Sequence, residues 1–261
     1  MAARTRQIDT ETHDGSGRHA RVDRVALEDP LEIRLQGTPL AVVMRTPGDD
    51  EDLVTGFLLT EGILLRPDEV TEVRRLDASR VDVELQEGLE IDPTRFQRNL
   101  FMSSSCGVCG KASIEAVQLF ARPAAPFRVA KDVVTRLTDE LRRHQPAFDE
   151  TGGLHAAGLF DLSGVPLAVR EDVGRHNAVD KAIGATARGR WPLSPALLVV
   201  SGRQSFEIVQ KAAVAGIGGV VGVSAPSSLA VDLADSLGML LAGFARGNTF
   251  NVYSGATRLG D

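Results

Sequence analysis

The chain holds two cysteines, Cys106 and Cys109, and both fall in one run, Ser103-Ser104-Ser105-Cys106-Gly107-Val108-Cys109-Gly110-Lys111. Two thiols at this spacing can fill a core as small apolar side chains, supply half of a zinc site, or act together in sulfur chemistry. A zinc site needs two further ligands. There is no second CxxC, and the candidate histidines His155 and His176 lie at spacings from Cys109 that fit no common finger. A free thiol of pKa ~8.5 is only a few per cent ionised at neutral pH, so a nucleophilic cysteine needs help. The surrounding residues offer it. The pair precedes an expected helix from Lys111 to Phe120, whose amino end favours an anion, and Lys111 adds a positive charge. Gly107 and Gly110 allow a tight turn that presents both sulfurs. Thiol chemistry, as disulfide exchange or as sulfur transfer, suits this setting better than a core or a metal.

Three further segments have the character of anion sites. Ser201-Gly202-Arg203-Gln204 follows an apolar strand and opens a helix, the usual place for a ligand in an open α/β sheet. Ser224-Ala225-Pro226-Ser227-Ser228 repeats that arrangement, and Phe244-Ala245-Arg246-Gly247-Asn248-Thr249 places a third basic region before the last strand. Taken singly, such loops are often no more than caps and turns. Glu171-Asp172-Val173-Gly174-Arg175-His176-Asn177 sets five polar side chains around a glycine, and Asp172, Arg175, His176 and Asn177 read as functional. His155, at the head of an apolar run, reads on its own as a core histidine.

The elements that must position these residues follow from periodicity. Residues 1 to about 20 read as a mobile tail. Leu31–Leu35 alternates at period two, Leu40–Met44 is a second strand, and Asp49 onward is a helix stopped by Gly62. Val70–Leu76 and Val81–Leu85 form a strand pair. Lys131–His144 is an amphipathic helix with Val133, Val134, Leu137 and Leu141 on one face. The last third alternates strands (Leu154–Asp161, Pro166–Val169, Leu197–Val200, Val220–Val223, Phe250–Tyr253) with helices (Asn177–Ile183, Ile208–Ala215, Leu229–Leu241), which predicts a parallel sheet covered on both faces. The apolar run Leu237–Ala245 reads as a buried helix end. The division expected is a tail over 1–20, an α+β unit over 21–123 that ends in the cysteine loop and its helix, and an α/β unit over 124–261.

Composition narrows the partners. A formal net charge of −6 argues against general affinity for nucleic acid or anionic membranes, so an anionic ligand needs a local basic cluster. Residues 1–24 carry no apolar core of a secretory signal, and no stretch approaches the ~18 apolar residues of a membrane span. A cytoplasmic setting, where thiols stay reduced, is expected.

Taken together, TPGDDEDLVTGFLLTEGIL, SSSCGVCGKASIE, TGGLHAAGLFD, REDVGRHNAVDKAIG, VVSGRQSFEIVQKAA and GFARGNTFNVYSG resemble the formate dehydrogenase accessory sulfurtransferase family, from about Arg21 to Ser254. The resemblance implies a cytoplasmic sulfur carrier. It would accept sulfane sulfur from a cysteine desulfurase and pass it to the molybdenum cofactor, a bis(molybdopterin guanine dinucleotide), for formate dehydrogenase. Cys106 matches the family cysteine that would carry the persulfide, and Cys109 matches the second. The family's cofactor-binding segment maps onto Phe244, Ala245, Arg246, Gly247, Asn248 and Thr249. With Ser201, Gly202, Arg203 and His176 these make the expected cofactor-binding set. The resemblance also implies a cytidine-deaminase-like three-layer sandwich in the C-terminal part and a dimer. His155 is followed by Ala156-Ala157, not by a general-base glutamate, so deamination is not expected, nor is a structural metal. A thiol–disulfide oxidoreductase and a non-catalytic cofactor chaperone are the alternatives.

Overall fold

The computed structural model describes residues 3–89, 91, 92, 121 and 123–260. Cys106, Cys109 and the helix expected from Lys111 to Phe120 lie outside the described residues.

Leu31, Ile33 and Leu35 alternate with Glu32 and Arg34 along β3 (Asp29–Leu35), and the apolar set is fully buried. Gln36 and Gly37, both at positive φ, turn the chain into β4 (Thr38–Arg45), pairing Leu35 with Thr38. Helix α1 (Asp50–Thr60) follows, with Asp50, Glu51 and Asp52 in its first turn, where the helix dipole favours acids. The pair β5 (Val70–Arg75) and β6 (Arg80–Leu85) completes a four-stranded sheet of order β4-β3-β6-β5, with β6 parallel to β3. Leu53 and Leu58 of α1 fill its core against Leu31, Ile33, Val81 and Val83.

The second sheet has six strands in the order β13-β12-β11-β10-β8-β9. Its centre is the parallel trio β10 (Leu197–Val200), β11 (Gly219–Gly222) and β12 (Leu240–Arg246). The parallel sheet expected from sequence is therefore mixed. β8 (His155–Phe160), β9 (Pro166–Asp172) and β13 (Thr249–Ser254) all run antiparallel to their neighbours, because β8 and β9 form a hairpin and β13 turns straight back from β12. One face carries α4 (Arg175–Ala187), α5 (Phe206–Val214) and α6 (Ser228–Ser236) on Leu159, Leu198, Val200 and Val220. The other carries α2 (Lys131–Arg143), whose Val133, Val134, Leu137 and Leu141 are the apolar face expected from the periodicity. Short α3 (Pro146–Thr151) follows α2, and β7 (Val129–Ala130) pairs with β14 (Leu259–Gly260).

Two expectations are corrected. Thr5–Asp14 (β1) and Gly17–Ala26 (β2) are not a featureless tail. They pair in register from Thr5↔Ala26 to Asp14↔Gly17, and Arg24 reaches Glu150 of α3 at 2.8 Å. Both faces of this hairpin are largely exposed, so the apolar alternation that marks a strand is missing, and only the Asp14-Gly15 turn signals it. The helix expected over Leu229–Leu241 stops at Ser236. Gly238, at φ 62, turns the chain, and the Leu237–Ala245 run becomes strand β12. A strand buried on both faces is apolar throughout, and period alone cannot separate it from a buried helix.

The two sheets are joined through α1 and α4. These helices cross so closely that a Cβ on Gly56 would sit 1.9 Å from the Asp180 carbonyl oxygen, and one on Gly184 would sit 1.9 Å from that of Asp52. Buried polar groups tie the crossing. Lys211 Nζ on α5 holds Asp180 at 2.9 Å and Glu61 at 2.9 Å and donates to Thr60 Oγ1 at 2.9 Å, which in turn donates to Asp180 at 2.7 Å. Burial pushes the Asp180 carboxyl up against the pull of Lys211. Burial also works to lower the Lys211 pKa, but Asp180 and Glu61 together raise it above the ordinary lysine value.

Candidate functional site

The carboxyl ends of β10 and β11, and the outer half of β12, bring three of the sequence-selected loops together. The organiser is Gln204, fully buried between them. Its backbone N–H donates to Ala225 O at 3.2 Å, its carbonyl accepts from Ser227 N at 3.0 Å, and it forms a parallel bridge with Pro226. Its side-chain Nε2 donates to Ser224 O at 3.1 Å, and the same carbonyl accepts the Phe244 N–H at 3.2 Å. The Ser201–Gln204 loop, the Ser224–Ser228 loop and Phe244 thus share one hydrogen-bonded knot. Ser227 caps α6, its Oγ accepting from Ala230 N at 3.3 Å.

His155 and the start of α4 border the knot. β8 is antiparallel to β10, so its first residue lies beside the end of β10. Ser201 N donates to Ala156 O at 3.0 Å and Ala156 N to Ser201 Oγ at 2.9 Å. A Cβ on Gly202 would meet His155 Nδ1 at 3.2 Å, so glycine lets the loop lie against the imidazole. Ser205 Oγ donates to Glu207 at 2.6 Å and lies 3.5 Å from His176 Nε2, which also faces Glu207 at 3.5 Å. Hydrogen bonding from His176 holds the Glu207 carboxyl down to about 2, with Ser205 adding to it and burial opposing. Burial, and then the charges of Arg175 and His176, lower the His155 pKa, which favours the neutral ring. The cluster can hold an anion beside an acid–base pair.

The polar loop after β9 divides in two. Asp172 is fully buried, paired with Lys181 Nζ at 2.7 Å, and accepts from the backbone N–H of Thr46 and Gly174. Asn177 donates to Asp172 at 3.0 Å and to Met44 O at 2.7 Å. These two residues, read from sequence as functional, stitch β4 to the second sheet. Glu171 accepts the Ala147 and Phe148 N–H groups at the amino end of α3. Arg175 and His176 are left for the site, and Arg175 Nε is buried with no hydrogen-bond partner among the described residues.

The segment from Phe244 to Thr249 also divides. Phe244 is exposed at φ 52, whereas Ala245 is fully buried in the core under α2. Arg246, Gly247, Asn248 and Thr249 form the exposed β12–β13 turn, with Thr249 Oγ1 donating to Arg246 O at 3.3 Å. Arg203 is exposed beside Gln204. Sequence reasoning passed over Ser205, Glu207 and Gln204 as site residues. The signal available was a serine just before a helix with an acid in its first turn. A cleft of about 830 Å³ between Phe127, Tyr253 and Arg258 opens at the amino end of β12, the opposite end of the sheet from these loops. The knot, with its charged side chains and buried unpaired groups, is the better candidate for chemistry. Among the described residues no three His, Cys, Asp or Glu side chains cluster as metal ligands, and no helix is long and apolar enough to cross a membrane.

The fold and the loops define a mixed α/β protein with a candidate ligand site at the carboxyl ends of parallel strands. Residues 26–260 match the FdhD/NarQ family, and the chain belongs to that family. The sulfur carrier protein FdhD of Streptomyces coelicolor is 50% identical over 253 residues, covering 92% of this chain and 90% of that one. The Mycobacterium tuberculosis protein of the same name is 49% identical over 255 residues, 92% of each chain. The crystal structure of a candidate formate dehydrogenase accessory protein from Desulfotalea psychrophila matches with a TM-score of 0.81 at 25% identity, covering 98% of this chain and all of its own.

Proposed function

We propose that this chain is a sulfur carrier that takes sulfane sulfur from a cysteine desulfurase and delivers it to the molybdenum cofactor, a bis(molybdopterin guanine dinucleotide), in support of formate dehydrogenase in the cytoplasm. Close relatives bearing the name sulfur carrier support the sulfur role, and the chain has one CxxC with which to perform it. The observation that carries the ligand half is the knot around Gln204. Arg175 Nε, bordering the knot, is a buried donor without a described partner. Such a group suits a ligand with anionic oxygens, such as those of a guanine nucleotide's phosphates. Ser201, Gly202, Arg203, His176 and the Phe244–Thr249 segment are the proposed binding set, with Arg203 and Arg246 for the phosphates. A deaminase-like layered half and a dimer belong to the same reading.

In this mechanism the Cys106 thiolate attacks the terminal sulfur of the desulfurase persulfide. A sulfur–sulfur bond forms at Cys106, and the desulfurase cysteine departs as thiolate. Attack of Cys109 on the inner sulfur then forms the Cys106–Cys109 disulfide and releases the terminal sulfur as hydrosulfide to its acceptor. A partner dithiol must afterwards reduce the disulfide. Intact-mass measurement after incubation with a desulfurase and cysteine tests this. The wild-type chain gains one sulfur atom and Cys106→Ala gains none; sulfur uptake by Cys106→Ala removes the assignment.

A further inference from the structure

We infer that Gln204 is the positioning residue for Phe244, holding that ring as an exposed platform at the mouth of the site through the Ser224 carbonyl. The inference rests on the proposed nucleotide-binding role only for the ligand it would serve. Phe244 is 48% exposed and sits at φ 52, in the left-handed region that an L-residue with a bulky side chain avoids. Something must hold it there. Its backbone N–H donates to Ser224 O at 3.2 Å, and the only other donor placed on that oxygen among the described residues is Gln204 Nε2 at 3.1 Å. The same region is shaped around this amide. A Cβ on Gly222 would fall 2.6 Å from Gln204 Nε2, and one on Gly243 would fall 2.8 Å from Ser224 O and 3.2 Å from Nε2. The strand also changes register between Gly243 and Arg246, where Phe244 departs from the ladder.

Stability alone does not account for a glutamine here. The side chain is fully buried, yet its Oε1 has no partner among the described residues, and an unpaired buried acceptor is a liability. Methionine would fill the same space without it. Turning the amide over would set Oε1 against Ser224 O, so the orientation is dictated by the acceptor. What glutamine adds over methionine is the N–H that fixes the carbonyl on which Phe244 hangs. An exposed aromatic ring fixed in this way is suited to stack on a planar base.

The test uses the full chain labelled with fluorophenylalanine, the Phe244 fluorine resonance being assigned by its loss in Phe244→Leu. In Gln204→Met, without ligand, the Phe244 resonance shifts or splits while those of the other nine phenylalanines hold their places. No change at Phe244, or a change spread over most of them, overturns the inference. Calorimetry with guanosine diphosphate supplies the second arm. Gln204→Met binds about tenfold more weakly than wild type, on the scale of one lost stacking contact, and adds no further loss in a Phe244→Leu background. Equal losses in both backgrounds show that Gln204 does not act through Phe244. If wild type binds no guanosine diphosphate while the resonance still moves, the ligand reading fails and the positioning role stands.

Discussion

Glu207 shows how one side chain sets the charge of the candidate site. Its carboxyl, held at about 2 by His176 and Ser205, faces the imidazole that the sequence had picked out. A carboxyl whose pKa is lower folded than unfolded contributes stability that is fully present above the unfolded value, 4.5, and is lost as pH falls towards about 2. Across that window the unfolded chain takes up the proton first. Glu207→Gln removes this component, so urea unfolding at about pH 5 and about pH 3 should show a smaller acid loss in the variant than in wild type. Equal losses would mean that the pair has no such linkage. Residue types at the site were legible in the sequence, but their orientation was not. Asp172, Arg175, His176 and Asn177 look alike in a string, and only the fold sends the first and last into a seam and the middle two towards the site. Gln204 and Glu207 were hidden because ordinary polar residues beside a turn carry no mark of what they will touch.

Among the elements, the α1–α4 crossing is the most demanding. Both glycines sit in helix interiors, where glycine costs roughly 1 kcal/mol relative to alanine in propensity alone. On an exposed helix, Gly184→Ala would therefore stabilise. Here the new Cβ would overlap the Asp52 carbonyl at 1.9 Å, a backbone atom that cannot step aside without separating the helices. Overpacking of this kind costs typically 1–3 kcal/mol and can exceed it, so Gly184→Ala should lower the unfolding midpoint clearly. A midpoint equal to or above wild type in thermal unfolding would show that the crossing is looser than described. Helices, and strands with one wet face, were readable because burial on one side leaves a period. The β1–β2 hairpin, wet on both faces, and β12, dry on both from Leu240 to Gly243, leave none, which is why one was read as a tail and the other as a helix.

At the scale of the whole molecule, the two sheets share a seam that neither could keep alone. Lys181, paired with Asp172, donates to Thr46 O, and Asp172 accepts the Thr46 N–H. Lys211, paired with Asp180, also holds Glu61, so the buried charged groups of the second half find further partners in the first. Releasing the first half would take Glu61 and Thr60 from Lys211 and the Thr46 backbone from Lys181 and Asp172, leaving buried charged groups short of partners. The meeting of the three loops was legible at this scale, because ligands of α/β sheets gather at the carboxyl ends of parallel strands and the candidate loops were chosen there. The seam was not, because its partners lie 120 to 151 residues apart in sequence. Trp191, the single tryptophan, packs against the cores of both halves and reports on the seam. Urea unfolding followed by its fluorescence and by far-ultraviolet circular dichroism should give one transition with coincident midpoints, although a chain of this length commonly unfolds in steps. A fluorescence change that precedes the loss of secondary structure would mean that the seam opens first and the halves stand independently. Coincidence would show that burial of charge across α1 and α4 makes them one cooperative unit, and that the loops around Gln204 are held by the stability of the whole chain.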